Sequence, residues 1–244
     1  LVVSGEDGAR AIVIDLERGP GQVEHEGQRT ARYVALSPSG RWAAAGTHNG
    51  NGVKVWDAST GSIEADLPVQ GSAKVLFSPD ERWLLVADHG SYHIYEAGSW
   101  RPARDVPLDE PRYPPCMAYA ADGTVIALMV RHGDVELRDP VKLEPLVRLE
   151  VPGELIVNSL VFSPDARRLA ACTPKGVLLW DLEAIRKELA DLGLDWESPA
   201  YPARPEAAPS RPLEVTIDSG PQAPAVPAVL AGAARAVGLR VRIA

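Results

Sequence analysis

Val53-Lys54-Val55-Trp56-Asp57 places Val53, Val55 and Asp57 on one side of an extended chain and Lys54 and Trp56 on the other. Asn49-Gly50-Asn51-Gly52 precedes this run and Thr60-Gly61 follows it, so turn-forming residues bound it at both ends. The pattern recurs along the chain. Ile14-Asp15, Trp56-Asp57, Tyr95-Glu96 and Trp180-Asp181 each end a β-branched and aliphatic run, and Arg138-Asp139 keeps the acid with the aromatic slot lost. These acids fall 42, 39, 43 and 42 residues apart. A second ladder runs in step: Ser37-Pro38-Ser39-Gly40, Ser78-Pro79-Asp80, Ala120-Ala121-Asp122-Gly123 and Ser163-Pro164-Asp165, spaced 41, 42 and 43.

Two independent signals with one period mean a repeated supersecondary unit, and about 40–45 residues is the length of a four-stranded propeller blade. In one repeat, Ala31 to Leu36 alternates loosely, Arg41 to Gly46 is a small-residue apolar run, Val53 to Asp57 follows, and Ser62 to Leu67 is polar and edge-like. Short strands with a turn signal between each pair indicate antiparallel hairpins rather than βαβ units. Asn49-Gly50, His89-Gly90 and Lys175-Gly176 put glycine where a tight hairpin uses positive φ. Phe77 and Phe162 precede Ser-Pro-Asp, and Trp42 and Trp83 sit five residues after their serines. Aromatics at fixed repeat positions are expected to pack between blades.

The expected fold is all-β: a partial propeller of four-stranded antiparallel blades, about four and a half of them, followed by one helix and a Pro-rich tail. The repeats divide as 1–25 (partial), 26–67, 68–108, 109–151 and 152–181. Leu1 to Ser4 and Ala11 to Leu16 take the places of second and third strands, so a first strand is expected upstream, in a larger ring. After Val177 to Asp181 a helix is expected, N-capped by Asp181, with Leu182, Ile185, Leu189 and Leu192 as its stripe. Glu183 and Lys187 are spaced to pair, and Gly193 marks the stop. The closing helix spans 182–196, and 197–244 is a Pro/Ala-rich tail with a strand expected at 213–218, suited to the vacant edge of the last blade.

The chain has 244 residues and a net charge of −8, with 45% hydrophobic and 24% charged residues. That balance suits a globular domain and disfavours binding to nucleic acid or an anionic membrane, which need basic surface. It suggests a mild preference for basic partners. No 18-residue apolar stretch is present. Cys116 and Cys172 permit a disulfide without requiring one, and both are expected to be small buried hydrophobes.

Val53-Lys54-Val55-Trp56-Asp57, Leu178-Leu179-Trp180-Asp181 and the Phe-Ser-Pro-Asp turns resemble WD40 repeats, and the resemblance covers residues 1–181. The ending, Leu179 to Leu189, Gly193 to Trp196, then Pro199 and Tyr201-Pro202, is similar to the segment closing propellers in bacterial WD40 proteins. Many of those, in planctomycete-type bacteria especially, carry an N-terminal serine/threonine kinase domain. The resemblance implies a C-terminal sensor or scaffold portion of such a protein, in the cytoplasm by default, or outside it when fused behind a transmembrane kinase. These residues hold no Gly-rich loop, His-Arg-Asp or Asp-Phe-Gly element, so any kinase activity is expected upstream.

His89 and His132 occupy equivalent hairpin turns, with His48 close to the same place, but turns of separate blades seldom converge on one metal. Asp88, Ser91 and His93 lie too close together on one hairpin for a catalytic triad, because alternate side chains point to opposite faces. No catalytic, metal or cofactor residue is expected. What remains is a loop face built from Glu26 to Thr30, Val69 to Ser72, Asp109 to Pro115, Pro152 to Glu154 and the hairpin turns. Tyr and Arg favour interaction hot spots, and flanking prolines lower the ordering cost. Candidate partner-binding residues are Arg29, His89, Arg112, Tyr113 and His132. The expected function is a non-enzymatic scaffold or sensor that binds a protein or peptide, with missing blades upstream in the same polypeptide. The alternative is a propeller enzyme of lactonase or quinoprotein class, which calls for carboxylate or His/Asn ligands on the channel-facing strands.

Overall fold

The computed structural model describes residues 2–4, 11–14, 22–25, 31–48, 50, 52–108, 114–153, 155–196, 201, 214–217 and 240–243. The chain divides into two units, Leu1–Pro199 and Ala200–Ala244.

In the first unit, β1 (Val2–Ser4), β2 (Ala11–Ile14) and β3 (Gln22–His25) form a three-stranded antiparallel sheet. Three four-stranded sheets follow, each in chain order. The first holds β4 (Ala31–Leu36), β5 (Trp42–Thr47), β6 (Val53–Asp57) and β7 (Ile63–Leu67). The second holds β8 (Lys74–Phe77), β9 (Trp83–Ala87), β10 (Ser91–Glu96) and β11 (Pro102–Pro107). The third holds β12 (Met117–Tyr119), β13 (Ile126–Arg131), β14 (Asp134–Arg138) and β15 (Pro145–Glu150). A three-stranded sheet of β16 (Ser159–Phe162), β17 (Arg168–Thr173) and β18 (Gly176–Asp181) precedes helix α1 (Leu182–Asp191). β4 lies against β8, and β12 against β16. These four first strands also line a common channel through Tyr33, Lys74, Met117 and Ser159. This is propeller architecture, and all-β as the repeat predicts.

The core lies between sheets. Ala44, Val53 and Val55 pack on Val75, Phe77, Leu84 and Val86 of the next blade. Leu85, Tyr92 and Ile94 in turn pack on Ile126 and Leu128. Trp56, fully buried, faces the other way, toward Ala31 and Ala45. A middle strand covered on both faces has no polar side to show, which is why Leu84 to Ala87 and Ile126 to Val130 are buried without a break. The repeat aromatics pack as expected: Phe77 and Phe162 are buried, and Trp42 meets Trp100 edge-on at 5.4 Å.

Polar and close backbone contacts also bind blade to blade. The buried Tyr92 hydroxyl lies 2.8 Å from the Met129 carbonyl and 3.1 Å from that of Cys116. At Gly46 a Cβ would stand 1.9 Å from the Ala73 carbonyl oxygen, so β5 and the entry to β8 approach at a distance only glycine allows.

Both sequence ladders are turns held by short side chains. Ser78 Oγ donates to Asp80 Oδ1 at 2.6 Å and accepts from Trp83 N at 3.0 Å. Ser163 repeats this with Asp165 and Arg168 N. The acid ladder caps the turns after β6 and β14: Asp57 Oδ1 accepts from Ser59 N and Thr60 N at 2.9 Å, and Asp139 Oδ1 accepts from Val141 N and Lys142 N. The Ser59 hydroxyl and these amide donors hold the Asp57 carboxyl down at about 2. Gly90 differs from expectation, since its φ is not positive. Asp88 Oδ1 accepts from Gly90 N and Ser91 N at 2.8 Å and closes that turn instead.

Helix α1 starts at its expected cap and ends at Asp191, short of the 196 expected, with Gly193 just beyond as the stop. Asp181 accepts from Ala184 N at 3.0 Å, and Gly193, at φ 70°, lets Leu194 N reach the Leu189 carbonyl. The stripe differs: Leu192 is 71% exposed, while Arg186 is buried. Leu192 is the C-cap, already turning away, and Arg186 is neutralised by three bonds to Asp195, with the Trp196 ring against its guanidinium. Glu183 meets Arg167 of the blade rather than Lys187.

Cys116 is buried, but Cys172 is exposed, against expectation. Strand alternation puts Cys172 on the face of β16–β18 that carries Val161, Val177 and Leu179, and these are 61, 70 and 57% exposed. In the second unit, β19 (Glu214–Ile217) falls within the strand expected at 213–218 and pairs in parallel with β20 (Arg240–Ile243). No helix among the described residues is long and apolar enough to cross a membrane.

Candidate binding site at the channel mouth

One position recurs at the entry of every inner strand. Arg32, Lys74, Cys116 and Asn158 follow one another at intervals of 42 residues, and all four border the channel. The repeat therefore stacks four chemically different side chains into one collar. Two are cations and one is an amide. The fourth, the Cys116 thiol, donates to the Val157 carbonyl at 3.1 Å. Burial raises the pKa of that thiol, against the opposing pull of Lys74.

Lys74 Nζ is 3.2 Å from Cys116 Sγ and 5.8 Å from the centre of the Tyr33 ring. The Arg32 guanidinium lies 6.0 Å from the same ring. Among the described residues neither cation forms an ion pair. By contrast Arg131 pairs with Asp134 at 2.5 Å, while Arg138 and Arg148 each reach Glu136 at 2.7 Å.

Above the collar opens a cavity of about 480 Å³, which His48 and His132 border together with Arg32, Lys74 and Asn158. No Asp or Glu borders it among the described residues. His48 Nδ1 is buried without a hydrogen-bond partner there. The structure thus brings two of the three turn histidines to one place. His89 lies apart, with its ring over Gly71. Arg29, Arg112 and Tyr113 fall outside the described residues.

Asp88 and His93 do interact, as a structural network rather than a nucleophilic one. His93 Nε2 is 2.9 Å from Asp88 Oδ2, and its Nδ1 is 2.8 Å from Asp105 Oδ1. Both ring nitrogens are engaged by carboxylates, leaving none for a serine. A smaller cleft sits at the other end of the blades, between the turns at Ser78–Asp80 and Ala121–Gly123. There the Trp83 Nε1 and Tyr119 hydroxyl are buried without partners among the described residues.

Arg32 and Lys74 carry no metal-ligand signature, so they do not stand out from the inner strands by residue type. The 42-residue period that revealed the blades was also the signal for the collar, once applied to cations.

Residues 144–181 match the family model described as WD domain, G-beta repeat. The match begins at β15 and ends at β18, so one sequence repeat contributes the outer strand of one blade and the three strands of the next. No curated protein matches the chain. A matched WD40 repeat set among antiparallel blades built to the same turn and strand plan supports a WD40-type β-propeller.

Proposed function

We propose that this chain is a non-enzymatic interaction module, a scaffold or sensor that presents the loop face of its propeller to a protein or peptide. The observation that carries this is the convergence of Arg32, Lys74 and Asn158 at inner-strand entries with two hairpin-turn histidines on one open cavity at that face, among apolar residues such as Leu108, Met129 and Ile156. WD40 propellers generally serve as protein-interaction scaffolds. His132 borders the cavity, and Arg112 and Tyr113 belong to the long loop immediately before Pro114 and Pro115, which also border it. Arg29 and His89 complete the proposed face.

The proposal includes a larger ring, with further blades upstream in the same polypeptide. Support comes from the three-stranded last sheet and the exposed Val161, Val177 and Leu179 on its face. In the first two complete blades the matching sheet faces pack on the next blade. The closing segment around α1 resembles that of bacterial WD40 proteins fused to serine/threonine kinases, which makes a regulatory protein of that kind the proposed context.

Affinity capture with the immobilised chain tests the interaction reading. A protein retained by the wild type and lost from an Arg112→Ala, Tyr113→Ala, His132→Ala variant is the expected result. Equal retention by both overturns the assignment of this face.

A further inference from the structure

We propose that the channel mouth receives an anionic group, a carboxylate or phosphate, carried on an acidic segment of the partner protein. This rests on the interaction-module reading and names the chemistry that the partner brings.

The chain is acidic overall, at −8, yet charge is not evenly spread. The collar offers Arg32 and Lys74 side by side on one ring, and no described carboxylate faces them. Lys74 is half-buried, and its ammonium meets a thiol and an aromatic face, which disperse the charge weakly. A cation withdrawn from water without a counter-charge is costly to hold, and an incoming anion removes that cost. By contrast Arg131, which borders the same cavity, is already matched by Asp134, and Arg138, Arg148 and Arg186 are matched elsewhere.

Donors surround the same opening. Asn158 contributes its amide, and His132 and His48 border the same opening. An oxyanion accepts several hydrogen bonds at once, so convergent donors beside two cations fit it better than they fit a neutral amide or a cation. About 480 Å³ is room for one or two side chains with their flanking backbone, and a free ion would leave most of it unfilled. The mild preference for basic partners implied by net charge is thereby reversed at this site.

Fluorescence anisotropy on the 244-residue chain tests this with four labelled decapeptides: glutamate-rich, phosphoserine-containing, lysine-rich and Ser/Gly neutral. Inorganic phosphate and acetate serve as competitors. Binding of the glutamate or phosphoserine peptide is expected, and which of them binds identifies the anion. Arg32→Gln and Lys74→Met should each weaken it about 10-fold, a typical loss for one charge-assisted contact. Raising the salt from 50 to 500 mM should weaken it further. If Lys74→Met fails to fold by circular dichroism, the exposed Arg32, tested as Arg32→Gln and Arg32→Glu, carries the decision. Equal binding of neutral peptides, indifference to Arg32, or binding of phosphate or acetate without either acidic peptide overturns the proposal. Partner capture that depends on Arg112, Tyr113 and His132, with no acidic peptide binding, removes this inference alone. Peptide binding without such capture removes only the assignment of the loop residues.

Discussion

The Tyr92 hydroxyl lies 2.8 Å from the carbonyl oxygen of Met129, a residue in the next blade, so a hydrogen bond crosses the apolar packing of Leu85 and Ile94 on Ile126 and Leu128. Tyr92 is fully buried, and burial pushes its phenol well above the ordinary range, so it stays a donor at every pH the fold survives. Tyr92→Phe keeps the ring packing and orphans the carbonyl. The expected cost is about 1–2 kcal/mol, or roughly 2–8 °C in Tm for a domain of this size, read by thermal melting.

Gly46 makes the opposite point, that an absent side chain also joins blades. A methyl group there meets the Ala73 carbonyl at 1.9 Å, and both partners are backbone, which cannot swing aside. Gly46→Ala should therefore destabilise by about 2–4 kcal/mol, well beyond an ordinary glycine substitution in a strand. Gly153→Ala, with open space around the glycine but a φ of 74°, should cost about 1–2 kcal/mol through conformation alone. Chemical denaturation of the two variants separates clash from backbone strain.

His93 gives the fold a pH dependence. Burial would lower its pKa, but the Asp88 and Asp105 carboxylates facing it outweigh burial and raise it. Burial also opposes the fall at Asp88, where the Gly90 amide, His93 and the Ser91 amide prevail and lower the pKa. The raised histidine stabilises fully below its unfolded pKa of about 6.5 and loses that contribution as pH rises through the folded value. The lowered aspartate stabilises above its unfolded value and loses that contribution as pH falls through the folded one. Stability attributable to this network should thus peak between about pH 4 and 6.5. Melting curves from pH 5 to 8.5 should show the wild type losing on the order of 1–3 °C relative to His93→Gln at the alkaline end. Parallel curves would remove His93 from the account.

The apolar face of β16–β18 should make the isolated chain sticky. Val161 and Leu179 flank Ala170 across the sheet and are 61 and 57% exposed. Val161→Lys with Leu179→Glu places opposite charges there without disturbing the buried face. Light scattering at about 100 µM is expected to show self-association in the wild type, reduced roughly 10-fold in the variant. Identical monomeric behaviour of both chains counts against an uncovered interface.

The blades were legible because their determinants are local. Each strand alternates or runs apolar over five or six residues, and each turn is tied by a serine or acid to amides two to five residues away, as at Ser78 and Asp57. Spacing alone carries such information. The helix ends were legible for the same reason, since Asp181 and Gly193 act within a turn of themselves. Arg186 was not, because its burial depends on Asp195 and Trp196 folding back beneath it. Cys172 was misjudged because burial belongs to the neighbour that covers a face, not to the residue itself. The collar lay between these cases. Its period was visible, but net charge is a sum over the chain and conceals which cations share a place.

The offset between repeat and blade has an evolutionary consequence. A segment such as 144–181 owns β15 of one sheet and all three strands of the next, so every seam is stitched by continuous backbone. Copying or losing one such segment in a gene hands the outer strand to a new neighbour and leaves no sheet short of a strand. The circumference of the propeller can thus grow or shrink by whole units, and each unit brings its own residue to the collar. Selectivity at the mouth is then edited one side chain at a time, by substitution at a single position of a single repeat.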